Sequence, residues 1–291
     1  AWGGNIYLVN GYDVPLVYDG TKVERAGFDD FPPTPQGASA KISFWGVEAS
    51  YNHVSPVPID GLGLGAASST PGTNLRCGYR WAVTFVNERG QESPLSPASS
   101  IAVIENSDIR MGSRVLVPTG GSHCVARRLY RTRNLYDSSG ELVSLGYAES
   151  FYFLQEIQDN ETTIALDFTP DSFLGALVDE LDFGTFPDSA KYLAVFQNTM
   201  FAAGMTANSV RFSAALFPEV FPPDNVIQVG ESDMGPITGM YPTKAALVIF
   251  KQRGIFLVRG NPAEGFVATT LTRDTGCVCH KSLVELPGLG L

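Results

Sequence analysis

Short apolar runs that end in glycine recur along the chain. The clearest are residues 6–11, 200–204 and 255–260. A matching apolar run and a polar turn precede the second and the third of these, at residues 193–196 and 247–250. Two short apolar runs joined by a tight polar turn are typical of a β-hairpin. The pattern therefore predicts a hairpin that ends near Gly204 and another that ends near Gly260.

The runs follow the same order in each of three units. A further strand-like run comes after each glycine, at residues 17–18, 210–213 and 266–269, and a second glycine follows at Gly27, Gly230 and Gly276. Gly204 and Gly260 are separated by the length of one four-stranded propeller blade, roughly 40–50 residues, plus a loop. We predict partial β-propeller-like hairpin repeats. A β-sandwich whose hairpins resemble one another by chance is the alternative.

The pattern changes between residues 71 and 170. Apolar and polar residues alternate over residues 77–86, as they do in a half-buried antiparallel strand. Further strand-like runs lie at residues 100–104, 114–117, 128–132, 143–147 and 163–168. This spacing favours a β-sandwich of the immunoglobulin or fibronectin type III kind, inserted between the repeat units.

The fold class predicted is therefore all-β, in three parts. Residues 1–70 hold the first propeller-like unit and a linker, residues 71–170 form the inserted sandwich, and residues 171–291 hold further propeller-like units that stop short of a whole propeller. Residues 173–181 are the only stretch whose pattern suits a short helix.

Composition and charge argue against some classes of binding partner. The chain has 30 acidic and 20 basic residues, a formal net charge of −10, and only 17% charged residues. Such a balance argues against a surface that grips nucleic acid by counterion release. No apolar run approaches the ~18 residues of a membrane helix, and no signal peptide is visible, so we expect an acidic, soluble protein without a membrane anchor.

The sequence lacks a recognisable catalytic or metal-binding motif. Asp274-Thr275-Gly276 matches the loop of aspartic proteases, but that chemistry needs two carboxylates that share a proton. The histidines are not spaced as metal ligands, and the grouping of Cys277, Cys279 and His280 is too compressed for tetrahedral zinc. We therefore expect neither an enzyme nor a cofactor.

Two groups of charged residues remain as candidate sites. Arg127, Arg131 and Arg133 lie in a predicted strand with one apolar face, where exposed arginines resist edge pairing or bind a partner. An acidic group could form a solvated rim or the wall of a channel; its members are Asp179, Glu180, Asp182 and Asp188. Two carboxylates about 5–10 Å apart would instead suit a glycosidase.

Several stretches together resemble the tail nozzle, or tail tubular protein B, family of short-tailed bacteriophages. They are residues 9–13 with 17–20, 128–132, 193–198 with 201–204, 250–256 and 274–277. The resemblance implies a virion structural protein, made in the host cytoplasm, with a β-propeller on a ring subunit. It also implies a homo-oligomeric ring, contacts with portal or adaptor proteins and fibres, and transient passage of DNA.

Two other functions stay open at this point. A propeller or sandwich with exposed aromatic residues could recognise a glycan on the host surface. An acidic glycoside hydrolase would require Asp179, Glu180 or Asp182 to act as an acid or a nucleophile.

Overall fold

The computed structural model describes residues 2–28, 32–40, 76–105, 112–121, 123–137, 141–142, 150–167, 169–178 and 183–284. The chain divides into two compact units. The first unit joins Ala1–Asp30 to Glu180–Leu291, and the second unit is Phe31–Asp179. Within the described residues the fold is all-β, and the helical segments are three-residue 3-10 helices at Asp171–Phe173, Ser232–Met234 and His280–Ser282.

The first unit begins with a three-stranded antiparallel sheet. Its strands are β1 (Ile6–Leu8), β2 (Leu16–Tyr18) and β3 (Val23–Arg25), in that order. Tyr7 lies opposite Val17, and both side chains point toward the core of the unit. Ile6 lies opposite Tyr18, and Tyr18 lies opposite Val23, so these three side chains share the other face.

The described residues of the second unit form eight strands in three antiparallel sheets, ordered β10–β9–β6, β11–β8–β4 and β5–β7. The strands are β4 (Gln36–Ala40), β5 (Arg76–Tyr79), β6 (Trp81–Asn87), β7 (Ala102–Glu105), β8 (Gly112–Leu116), β9 (Cys124–Thr132), β10 (Phe151–Ile157) and β11 (Ile164–Asp167). Buried side chains of β5, β6, β7, β8, β9 and β11 meet in one apolar core.

The first unit continues with two four-stranded antiparallel sheets, each in sequential strand order. One contains β12 (Tyr192–Phe196), β13 (Thr199–Ala203), β14 (Ser209–Phe212) and β15 (Val226–Gln228). The other contains β16 (Ile237–Pro242), β17 (Leu247–Lys251), β18 (Gly254–Asn261) and β19 (Gly265–Thr272). The hairpins predicted before Gly204 and Gly260 are confirmed as β12–β13 and β17–β18.

The three sheets of the first unit pack face to face. Phe201 and Ala203 of β13 contact the sheet β16–β19, where they meet Phe256 and Val258. Met200 and Ala202 point the other way, into a cluster that includes Val17 and Tyr7 of the first sheet, together with Phe186 and Phe221. Because alternate residues of a strand face opposite sides, β13 supplies both cores, and the sheet β12–β15 lies between the other two.

Polar contacts hold this stack at two buried points. The ammonium of Lys251, which is fully buried, donates to Asn208 Oδ1 at 2.7 Å and to the Glu231 carbonyl oxygen at 2.7 Å, so it joins β17 to the chain beside β14 and β15. The buried Glu219 carboxylate accepts from the Gly27 N–H at 2.7 Å and from the Tyr7 hydroxyl at 3.0 Å. It thereby ties the first sheet to the loop between β14 and β15.

The glycines that end the three predicted apolar runs adopt backbone angles that favour glycine. Gly11, Gly204 and Gly260 have φ angles of 83°, 97° and 121°, in the region that L-residues rarely adopt. A Cβ at Gly204 would lie 2.5 Å from Lys191 Cβ, and one at Gly260 would lie 2.1 Å from the Gly265 carbonyl oxygen. The backbone angles, together with the close contacts at Gly204 and Gly260, favour glycine at the end of these runs.

Two sequence predictions about secondary structure are wrong. The single strand predicted over residues 77–86 is divided at Arg80 into β5 and β6, which belong to different sheets. The helix predicted from Phe173 onward is absent from the described residues up to Val178. There the chain runs beside β10 instead, because the Gly175 and Val178 N–H groups donate to the carbonyl oxygens of Phe153 and Phe151. Residues 143–147, a predicted strand, lie outside the described residues.

The core between the two four-stranded sheets depends on Phe201, which is fully buried among the rings of Phe196, Phe212 and Phe266. We expect Phe201→Ala to lower the free energy of opening of β12–β19 by about 3–5 kcal/mol, because it leaves a cavity between the sheets. Hydrogen exchange of the β13 and β17 amides measures this change.

Phe217→Ala is the matched control for Phe201→Ala. Phe217 is 52% exposed, so its truncation should change the same amide exchange by no more than about 0.5 kcal/mol. Equal effects of the two substitutions would contradict a shared core between the sheets.

Candidate functional site

Two members of the predicted arginine group, Arg127 and Arg131, lie on β9, the central strand of the sheet β10–β9–β6. Arg127 lies opposite Phe85 of β6, and Arg131 lies opposite Trp81, so both belong to the face that Leu129 shares. Leu129 belongs to the apolar core of the second unit. The register therefore directs these two arginines into the core and not to the surface.

Arg127 is fully buried and paired within the chain. Its guanidinium donates to Asp159 Oδ1 at 2.7 Å, to the Asp159 carbonyl oxygen at 3.1 Å and to the Pro118 carbonyl oxygen at 3.0 Å. The pKa of Asp159 is held well below its usual range, because its carboxylate accepts from the Thr162 hydroxyl and from the Thr162 and Glu161 N–H groups and lies beside Arg127. The pair closes the loop after β10 onto β9.

Arg131 is also fully buried and contacts two carboxylates. One terminal nitrogen donates to Asp171 Oδ1 at 2.7 Å, and the other lies 3.4 Å from Asp167 Oδ2. Its guanidinium carbon lies 4.4 Å from the centre of the Tyr79 ring. The Trp81 indole N–H donates to the same Asp167 oxygen at 2.9 Å. Burial raises the pKa of Asp167, and the charge of Arg131 opposes that rise.

A second network lies on the opposite face of β9. Arg128 donates to Glu92 at 2.6 Å and to Glu156 at 2.9 Å. The Glu92 carboxylate also accepts short hydrogen bonds from the hydroxyls of Tyr130 and Thr84. Burial, and then the charge of Glu92, raise the pKa of Tyr130, so the phenol stays protonated and acts as a donor. Each charged group has a partner of the chain itself, which indicates a structural network.

The prediction that the arginine group is exposed is therefore wrong for Arg127 and Arg131. Aspartates that are distant in the sequence neutralise them inside the core, and neither side chain is exposed to solvent. Arg133, just beyond β9, is exposed, and its guanidinium lies 4.4 Å from the centre of the Tyr152 ring. It stays a candidate for a partner contact.

Asp188 is the only member of the predicted acidic group that the structure describes. Its side chain is 62% exposed and forms an ion pair of 2.7 Å with Arg25 of β3. Asp179, Glu180 and Asp182 lie outside the described residues. In the part of the chain that the structure describes, no group of three or more His, Cys, Asp or Glu side chains could hold a metal ion. No helix among those residues is long and apolar enough to cross a membrane.

The surface features that the sequence did not indicate are the two outer faces of the sheet stack. On the first sheet, Ile6, Leu8 and Val23 are 45%, 47% and 56% exposed on the face that points away from the core. We call this surface, together with the half-buried Leu16 and Tyr18, the leading face. Among the described residues, no sheet packs against it.

The sheet β16–β19 has a comparable outer surface, which we call the trailing face. Val267 lies opposite Arg259 on this face and is 64% exposed; Leu271, which is 60% exposed, is the extra residue at a bulge of β19. The half-buried Ile255 and Leu257 lie on the same side of β18. Near β16 the face is covered by the chain's own residues, since a Cβ at Gly239 would lie 2.8 Å from His280 and 3.0 Å from Leu283.

No protein-family model matches this sequence, and no curated protein matches it.

Arg131 should be essential for the stability of the second unit. We expect Arg131→Met to lower its free energy of unfolding by about 3–5 kcal/mol, because the substitution leaves the carboxylates of Asp167 and Asp171 without their cation. Hydrogen exchange of the β6 and β9 amides measures the change. Arg133→Met is the control, with an expected loss of about 1 kcal/mol or less. Similar losses in both variants would show that burial does not distinguish the two arginines.

The pairing of Asp159 makes a prediction about pH. Its pKa in the folded protein lies below the value of about 3.9 for an unperturbed aspartate. The ionised carboxylate therefore stabilises the fold at pH values above the unfolded pKa, and this contribution is lost as the pH falls through the folded pKa. NMR titration of the Asp159 carboxyl carbon should give a midpoint below the ordinary value.

Thr162→Val removes the largest cause of the lowered Asp159 pKa, the hydrogen bond from the Thr162 hydroxyl. The midpoint should then move up toward the ordinary value. An ordinary midpoint in the unsubstituted protein would contradict the described site.

Proposed function

We propose that this chain is a structural subunit of a bacteriophage tail, of the nozzle or adaptor ring type. In this function it assembles with other copies, docks other tail proteins and lets DNA pass without retaining it. The observation that carries the proposal is the stack of three sheets in the first unit, which exposes an apolar face at each of its two ends. A cyclic ring needs two different complementary surfaces on each subunit, and the leading and trailing faces supply two.

The finer fold that we propose for the first unit is a partial β-propeller. Its two four-stranded sheets have sequential antiparallel order and pack face to face around a common core, as propeller blades do. Their first strands, β12 and β16, lie in contact. A 3-10 helix follows the fourth strand of each sheet, at Ser232–Met234 after β15 and at His280–Ser282 after β19. These features support a repeated blade-like unit.

For the second unit we propose an immunoglobulin-like or fibronectin-type sandwich. Antiparallel sheets around a shared apolar core support this assignment. Its charged groups on β9 are used in internal ion pairs, which favours a structural function over catalysis at this place. Arg133 and the rest of the exposed surface would then be available to other tail proteins.

The charge of the chain suits a channel that DNA passes through. A net charge of −10 repels phosphate, so a wall formed by such subunits would stay hydrated and would not hold the DNA. Asp188 and its acidic neighbours in sequence, Asp179, Glu180 and Asp182, are the residues that we propose for such a wall or rim.

Negative-stain electron microscopy of the purified chain, alone and mixed with portal and other tail proteins, tests this function. We expect closed rings of constant size, whose number rises with protein concentration. A chain that stays strictly monomeric both alone and with tail proteins would contradict the proposal.

A further inference from the structure

We propose that residues 93–99, which we call the strap, prevent the outer edge of β6 from adding a strand of another chain. β6 is the last strand of the sheet β10–β9–β6, and β9 pairs with only one of its two edges. The other edge of such a strand presents N–H and C=O groups that are a template for strand addition. The strap is therefore an autoinhibitory contact within the second unit, and it is independent of the proposed function.

Three buried serines of the strap bind this edge of β6 at a period of three residues. The Ser96 N–H donates to the Val83 carbonyl oxygen at 2.9 Å, and the Ser96 hydroxyl oxygen accepts from the Val83 N–H at 3.0 Å. Two further serines form the same pair of hydrogen bonds, Ser93 with Phe85 and Ser99 with Trp81. The strap thereby uses the N–H and C=O groups of every second residue of β6, which are the groups on its outer edge.

The serine hydroxyl takes the place of a backbone carbonyl in each of these pairs. In a regular antiparallel pair, a residue that donates its N–H accepts with its own carbonyl oxygen. Here the Ser96 hydroxyl accepts instead, and it donates in turn to the Pro97 carbonyl oxygen at 3.0 Å. Three residues of the strap, from Ser96 to Ser99, therefore advance along only two residues of β6. This spacing differs from that of a β-strand, which advances residue by residue with its partner.

The outer side of the strap is a poor template for a further strand. Pro94 and Pro97 have no N–H, and their carbonyl oxygens accept from the serine hydroxyls. The N–H groups outside the ladder are those of Leu95 and Ala98, two residues that pack on a small apolar cluster of β6, β9 and β10. Proline and irregular backbone are means by which β proteins protect a sheet edge.

The same serine arrangement occurs where β14 ends in the first unit. The Ser213 N–H donates to the Met200 carbonyl oxygen at 2.8 Å, and the Ser213 hydroxyl oxygen accepts from the Met200 N–H at 3.0 Å. The hydroxyl also donates to the Ala214 carbonyl oxygen at 2.9 Å. Regular pairing with β13 stops at this serine. A hydroxyl that replaces the serine's own carbonyl is thus a recurrent way in which this chain ends a β ladder.

Hydrogen exchange of single β6 amides in the full chain tests the ladder. Ser96→Ala removes the oxygen that accepts from the Val83 N–H, so we expect the Val83 amide to exchange at least about tenfold faster. The Ala82 N–H points to β9 and should change by less than about threefold. Ser100→Ala, at an exposed position beside the strap, should leave both amides unchanged. An unchanged Val83 amide, or equal acceleration of both amides in Ser96→Ala, would overturn the proposal.

The triple variant Ser93→Ala, Ser96→Ala and Ser99→Ala tests whether the strap blocks strand addition. Thioflavin T fluorescence reports stacked β pairing between chains, which a ring of folded subunits lacks. We expect this fluorescence to rise at least about tenfold faster in the triple variant than in the unsubstituted chain.

Val117→Ala is the control for lost stability, since Val117 is buried in the core of the same unit and lies outside the strap. Its fluorescence should rise within about threefold of the rate of the unsubstituted chain. Equal rates in Val117→Ala and the triple variant would assign the effect to stability and overturn the proposal, as would a triple variant that behaves like the unsubstituted chain. If the triple variant does not fold, the exchange of the Val83 amide in Ser96→Ala decides.

Discussion

The alternation of side chains between the two faces of a β-strand controls the structure of the first unit. In β13, Phe201 and Ala203 face one neighbouring sheet, while Met200 and Ala202 face the other. A strand with apolar residues on both faces is stable only when both are covered, so the sheet β12–β15 requires a partner on each side. The remaining features of the unit, from the buried Lys251 to the Glu219 contact with Gly27, hold those partners in place.

In the second unit, the same alternation places charged side chains in the core. Arg127, Leu129 and Arg131 follow one another on one face of β9, so the register that buries Leu129 also buries both guanidinium groups. Asp159 and Asp171 reach these arginines from segments that follow β10 and β11. The fold therefore depends on exact pairing of distant charges, and the surface that the sequence suggested for partner binding is reduced to Arg133.

The sequence predicted some of the local elements of the fold correctly. One hairpin of each four-stranded sheet, β12–β13 and β17–β18, was predicted because short apolar runs, polar turns and the glycines at 204 and 260 are local signals. The pairing of β4 with β8 was not predicted, since it joins segments far apart in the sequence. The helix expected from Phe173 was wrong because tertiary hydrogen bonds to β10 outweigh a weak local pattern.

The candidate site was harder to predict than the fold, for a physical reason. An arginine pattern is the same whether its partners are solvent, another protein or buried aspartates, and no local signal links Arg131 to Asp167 and Asp171. The two end faces of the stack were also missed, because exposed and buried apolar positions look alike along a strand. Ile6 and Val267 differ from Val17 and Val258 only in what the fold places beside them.

The central claim is that β13 supplies side chains to two cores, one on each face of the sheet β12–β15. Hydrogen exchange of the β13 amides in Phe201→Ala, compared with Phe217→Ala, tests it most directly. The account predicts that Phe201→Ala lowers the free energy of opening by about 3–5 kcal/mol and that Phe217→Ala changes it by no more than about 0.5 kcal/mol. Equal effects of the two substitutions would contradict it.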